Sequence, residues 1–142
     1  DKHFEDVFGD LPGVFERKYG VTGFWKNITD VGVKFWDEMP PTNGFSIIKN
    51  TAESYQKAGK LQIQILTSTS ADQIKQNFPN DYQKRIGSVE VGKKNWFKRH
   101  SLDFKKINFS SSGTDKANWA EKNTILIDDL QRNVDAFISN SI

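Results

Sequence analysis

Two stretches of this chain set oxygen-bearing side chains directly after apolar runs, and a lysine lies between them in sequence. In Ile63-Gln64-Ile65-Leu66-Thr67-Ser68, the hydroxyls of Thr67 and Ser68 end a strand-like run. Hydroxyls there can donate to a phosphoryl oxygen alongside backbone N–H groups, or can cap whatever helix follows. In Thr124-Ile125-Leu126-Ile127-Asp128-Asp129, two acids end an apolar run. Carboxylates in such a place are costly unless something satisfies them. A hard cation such as Mg²⁺, held by one or two carboxylates and a substrate phosphate, would do so. Asp129 suits a helix N-cap equally well. Lys116, in Gly113-Thr114-Asp115-Lys116, can neutralise an acidic nucleophile and a transferring phosphoryl group, or can be one more surface lysine.

Helical and strand-like patterns alternate around these residues. Phe4, Val7, Phe8 and Leu11 recur at helical steps, Pro12-Gly13 interrupts them, and Val14, Phe15 and Tyr19 resume the face up to Gly20. Residues 21–41, with Phe24-Trp25 and Phe35-Trp36 among Gly, Asn and Asp, read as a small aromatic insert rather than a regular element. Phe45, Ile48, Ala52 and Tyr55 predict a helix that stops at Gly59. Leu61 to Leu66 predicts a strand, although Gln62 and Gln64 alternate with its apolar residues and suggest an incompletely covered face. Ser70 with Gln73 fits a capping box for the next helix, which Pro79-Asn80 ends. Another helix is predicted near Gly92 to His100, strands at Lys106 to Phe109 and Thr124 to Ile127, and a last helix through Val134, Phe137 and Ile138. Strands alternating with helices predict an α/β protein with a parallel sheet flanked by helices. Ligands of such sheets bind outside the carboxyl ends of the strands.

Composition narrows the function classes. The chain has 142 residues, enough for one domain. Only 36% are hydrophobic, but 11 Phe, 4 Trp and 3 Tyr offset this because aromatic rings bury the most area per side chain. A net charge of +2 gives no general affinity for nucleic acid or membrane. The basic stretch Lys93, Lys94, Lys98, Arg99, His100, Lys105 and Lys106 is either a solvated helix face or an anion site. With no cysteine, disulfides, Cys-ligated zinc and thiol catalysis are excluded. No apolar run approaches the ~20 residues that span a bilayer, and the expectation is that no signal peptide precedes the first helix. Asn27 and Asn108 sit in sequons without secretory context. The expectation is a soluble, cytoplasmic protein. His3 and His100 have no metal-ligand spacing and read as surface residues.

Taken in order, strand–Thr67-Ser68, then Lys116, then strand–Asp128-Asp129 resembles the second, third and fourth motifs of the haloacid dehalogenase superfamily of phosphatases. Lys93-Lys94-Asn95-Trp96, Asp115-Lys116 and Leu126-Ile127-Asp128-Asp129 bring the resemblance closest to its 5'-(deoxy)nucleotidase branch. The resemblance covers nearly the whole chain. It implies a Rossmann-like core over about 42–142, with a small helical cap insert over about 14–41, in one domain spanning 1–142. It also implies Mg²⁺-dependent hydrolysis of a phosphomonoester through an aspartyl-phosphate, with a (deoxy)nucleoside monophosphate as substrate. Asp128 would hold Mg²⁺ with Asp129 beside it, Thr67 and Ser68 would bind phosphate, and Lys93 would be a second phosphate contact. Lys116 would steady the charge of nucleophile and phosphate. Phe24 and Trp25 would either stack on a base or pack the cap. A small phosphate ester is the implied partner, with neither nucleic acid nor membrane, and a homodimer is admitted.

One departure matters. The superfamily's nucleophile and general acid come from an Asp-x-Asp motif on a central first strand, and no Asp-x-Asp occurs here. The expectation is a chain that lacks that upstream strand and a short C-terminal piece. Two other readings stay open: a phosphatase acting on another small phosphate ester, and a non-catalytic binding module without the nucleophile.

Overall fold

The computed structural model describes residues 1–59, 61–102 and 106–141. In chain order the elements are α1 (Lys2–Phe8), α2 (Pro12–Val31), α3 (Val33–Asp37), α4 (Phe45–Lys57), β1 (Ile65–Ser68), α5 (Ala71–Asn77), α6 (Tyr82–Arg99), β2 (Ile107–Ser110), a 3-10 helix (Thr114–Trp119) and α7 (Gln131–Ser141). The chain divides into two compact units, Asp1–Ile63 with Gln83–Phe104, and Gln64–Tyr82 with Lys105–Ile142.

The first unit is helical. Pro12 opens α2, where a missing N–H costs nothing. Gly20 breaks the helix locally with φ 74°, ψ 174°, a conformation that glycine adopts without a Cβ penalty. Phe4, Phe15, Ile28 and Phe35 are buried together, and Phe8, Phe24, Trp25, Trp36 and Met39 pack around them. The aromatic-rich stretch 21–41 is therefore mostly regular helix, in α2 and α3, rather than an irregular insert. From this stretch Phe24 and Phe35 reach the Phe4 ring, as Phe15 does from the start of α2. α6 lies close against α3: a Cβ at Gly92 would stand 2.7 Å from the Val33 carbonyl oxygen and 2.8 Å from Trp36 Cβ. The Trp96 indole N–H donates to the Met39 carbonyl at 2.6 Å. Arg85 donates to Thr29 Oγ1 and Asp30 Oδ1.

The second unit contains the sheet, and here the expected fold must be corrected. A Rossmann-like core needs several parallel strands covered by helices on both faces. Among the described residues one two-stranded sheet forms, β1 beside β2 in parallel, from Ile65↔Ile107 to Ser68↔Ser110, and most of the chain is helical. The α/β haloacid dehalogenase core is not what this chain forms. The strand predicted at Leu61 to Leu66 is displaced: among the described residues pairing starts with Ile65 opposite Ile107 and runs to Ser68 opposite Ser110. Thr124 to Ile127 has strand composition but joins no ladder, and Ile125 and Ile127 are 84% and 81% exposed. β-branched residues favour a strand only where a neighbouring strand supplies backbone partners and a surface to pack on.

Two local expectations also change. α4 stops as predicted at Gly59, which takes φ 68°. Ser70 precedes α5 but makes no side-chain cap bond, so the capping box with Gln73 does not form. Ser70 is instead in the left-handed region at φ 56°, and its N–H donates to Ser68 Oγ at 3.1 Å.

Candidate functional site

The polar cluster of the second unit builds up from the carboxyl ends of its two strands. The Thr69 N–H donates to the Ser110 carbonyl at 3.0 Å, holding the strand ends together beyond the last paired residues. Ser110 is almost wholly buried, and its hydroxyl donates to the Ser112 carbonyl at 2.8 Å. Below it the chain turns into the 3-10 helix. The Asp115 N–H donates to Ser112 Oγ, while the Asp115 carboxylate accepts from the Ser111 N–H and from the Asn118 amide. The Ser111 N–H is the main influence holding the Asp115 carboxyl below its ordinary range. Burial opposes it, and the Ser111 hydroxyl and Asn118 reinforce it.

This turn places Lys116. The 3-10 helix packs on α7 and on β1, so the lysine stem is covered and its ammonium meets Asp128 ahead of α7. Lys116 Nζ donates to Asp128 Oδ2 at 2.6 Å, with side-chain exposures of 14% and 4%. Oδ1 of Asp128 accepts the Leu130 N–H at 2.9 Å, and Asn133 Nδ2 stands 3.3 Å from both carboxylate oxygens. Burial acts most strongly on the Asp128 carboxyl and pushes it up. The Lys116 hydrogen bond, the Leu130 N–H, the Lys116 charge and the Asn133 amide together outweigh burial and hold it below the ordinary carboxylate range. Asp128 is therefore a carboxylate at neutral pH.

The structure brings Lys116 and Asp128 together and leaves Asp129 exposed next to them. Thr67 and Ser68 are the last two residues of β1, part-buried, on the strand that packs against the 3-10 helix. Three other expected site residues belong to the first unit. Phe24 stacks on Phe4 at 5.2 Å, Trp25 meets Phe24 edge-on, and Lys93 Nζ lies 4.7 Å over the Trp36 ring. Of the basic stretch, Lys105 lies outside the described residues.

Sequence reasoning missed Asn133 and Gly113. An Asn five positions after an acid, inside the first turn of a helix, was the available signal; its meaning needs the fold. A Cβ on Gly113 would stand 3.0 Å from Asn133 Oδ1, so the glycine leaves room for that amide.

Among the described residues no three His, Asp or Glu side chains converge as a metal cage. A carboxylate is the ligand type Mg²⁺ takes, but both Asp128 oxygens already accept from Lys116, Leu130 and Asn133, so a cation there would have to displace the Lys116 ammonium or use the remaining lone pairs. Asp128 would hold it, with Asp129 next in the chain. No protein-family model, curated protein or solved structure matches this chain. The family resemblance therefore rests on the motifs themselves.

Proposed function

We propose that Thr67, Ser68, Lys116 and Asp128 form the phosphate- and cation-handling part of a Mg²⁺-dependent phosphomonoesterase. A 5'-(deoxy)nucleoside monophosphate is the substrate class that the resemblance implies. The observation that supports this most directly is the buried Lys116–Asp128 pair beside a strand that ends in two hydroxyl residues. Sequence motifs twelve residues apart point to the same two side chains that the turn and α7 bring within hydrogen-bond distance.

In this reading the hydroxyls of Thr67 and Ser68 donate to phosphoryl oxygens, and the Lys116 ammonium offsets the negative charge that gathers on the phosphoryl group. Asp128 is kept ionised by Lys116, Leu130 and Asn133, the state a cation ligand requires. Bound Mg²⁺ would supply charge neutralisation at the phosphate oxygens. Attack on phosphorus needs a nucleophile that none of these four residues provides, and the sequence holds no Asp-x-Asp pair of the kind the resemblance implies for it.

The test is phosphate release from a panel of nucleoside and deoxynucleoside monophosphates by the natural full-length protein, with and without Mg²⁺. Turnover that needs Mg²⁺ and is lost in Asp128→Asn supports the reading. Normal Mg²⁺-dependent turnover in Asp128→Asn, or no turnover of any phosphomonoester by the unaltered protein, refutes it.

A further inference from the structure

Asn133 presents an imbalance that packing alone does not explain. Its side chain is 2% exposed, and its Oδ1 has no hydrogen-bond partner. An unsatisfied buried acceptor is destabilising, and an apolar side chain of the same volume would fill this position without that cost. The opposite end of the same amide faces Asp128, with Nδ2 at 3.3 Å from each carboxylate oxygen. A carboxylate only accepts, so the N–H end must face it. That orientation turns Oδ1 towards Gly113, where a Cβ would stand 3.0 Å from it. The amide is thus seated in a space that one glycine leaves open, and its one favourable polar contact is with Asp128.

From this geometry we infer that Asn133 is a positioning residue for Asp128. Its Nδ2 is 3.3 Å from both carboxylate oxygens, so one N–H is shared between them, and this fixes the carboxylate plane in which Oδ2 meets Lys116 and Oδ1 meets the Leu130 N–H. Gly113 is part of the same device, because a Cβ there, 3.0 Å from Oδ1, would press the amide away by a few tenths of an ångström. The inference deepens the proposed phosphatase reading by assigning the orientation of its cation-binding carboxylate to a residue that touches neither phosphate nor cation.

Two measurements separate this inference from that reading. The first is ¹⁵N NMR of the Lys116 ammonium, assigned by its absence in Lys116→Arg; no metal is added. Asn133→Leu keeps the branched outline, though with more bulk, and removes the amide, and the hydrogen-bonded Lys116 signal should be lost while the protein stays folded. An unchanged signal overturns the inference. Should Asn133→Leu fail to fold, Gly113→Ala decides: a shifted or broadened Lys116 signal supports positioning, and an unchanged one overturns it. The second measurement is calorimetric titration with Mg²⁺ alone, where a residue orienting a ligand costs about 10–100-fold in affinity when removed. Loss of the Lys116 signal in Asn133→Leu, together with no Mg²⁺ binding even by the unaltered protein, supports positioning and refutes the cation reading.

Discussion

Lys116 Nζ stands 2.6 Å from Asp128 Oδ2, with both side chains largely withdrawn from water. Exposed ion pairs contribute little, but a covered pair broken on one side leaves a charge without its partner. Lys116→Met should therefore lower unfolding stability by about 3 kcal/mol. The double variant Lys116→Met/Asp128→Leu should lose less than the sum of the two single changes, since it leaves no orphaned charge. Urea unfolding of the four proteins checks this, and strict additivity would show that the pair is not coupled.

Lys116→Ala in the natural full-length protein should also reduce phosphomonoester turnover by about 10²-fold or more, as expected for loss of a charge-stabilising donor. Steady-state kinetics at saturating Mg²⁺ reads it, and unchanged turnover would remove Lys116 from the mechanism.

The Asp115 carboxyl is held below its ordinary range chiefly by the Ser111 N–H. A group whose pKa is lower folded than unfolded stabilises the fold above its unfolded value and loses that effect as pH falls through its folded value. The stability gap between the natural protein and Asp115→Ala should thus be constant near neutrality and narrow as pH drops below about 4. Thermal midpoints measured across that range test it; a gap that widens in acid would reverse the assignment.

Gly92 lies where α6 meets α3, with the Val33 carbonyl and Trp36 Cβ in the space a methyl group would take. Alanine at a helix interior normally gains about 1 kcal/mol over glycine. Here overpacking against backbone should reverse the sign and cost about 1–3 kcal/mol. Chemical denaturation of Gly92→Ala decides which effect wins.

Ile125 and Ile127 stand in water outside any strand pair. Replacing both with lysine should leave the thermal midpoint within a few degrees and suppress self-association, because exposed β-branched runs invite added strands. Light scattering against concentration provides the readout, and a large drop in midpoint would mean that the two side chains are packed.

Most helices were legible because their apolar residues repeat at helical steps: Phe45, Ile48, Ala52 and Tyr55 give α4, and Gly59 gives its stop. Of α2 only the part up to Gly20 was legible, and α3 was not, since glycines at 20, 23 and 32 resemble loop punctuation. The sheet was over-read. Composition can nominate Thr124 to Ile127 as a strand but cannot provide the neighbour that a ladder requires. The Lys116–Asp128 contact was not legible, because nothing in either residue's local pattern encodes a contact made by the turn and α7 together. Asn133 was invisible for a related reason: an Asn near a helix start looks like any polar first-turn residue until Gly113 is seen opposite it.

β1 and β2 pair in parallel, yet most of the chain that joins them, Gln83 to Phe104, belongs to the helical unit. A parallel pair cannot close through a tight turn and must wait for a crossover to bring its ends together. A connection that has already condensed into α6 presents a shorter effective loop to close than a disordered one, with a smaller entropy loss. The consequence is one of timing. If α6 forms before the strands pair, Gly92→Ala, which hinders its packing on α3, should slow pairing of β1 with β2 in refolding experiments, and an unchanged refolding rate would show that the crossover need not form first.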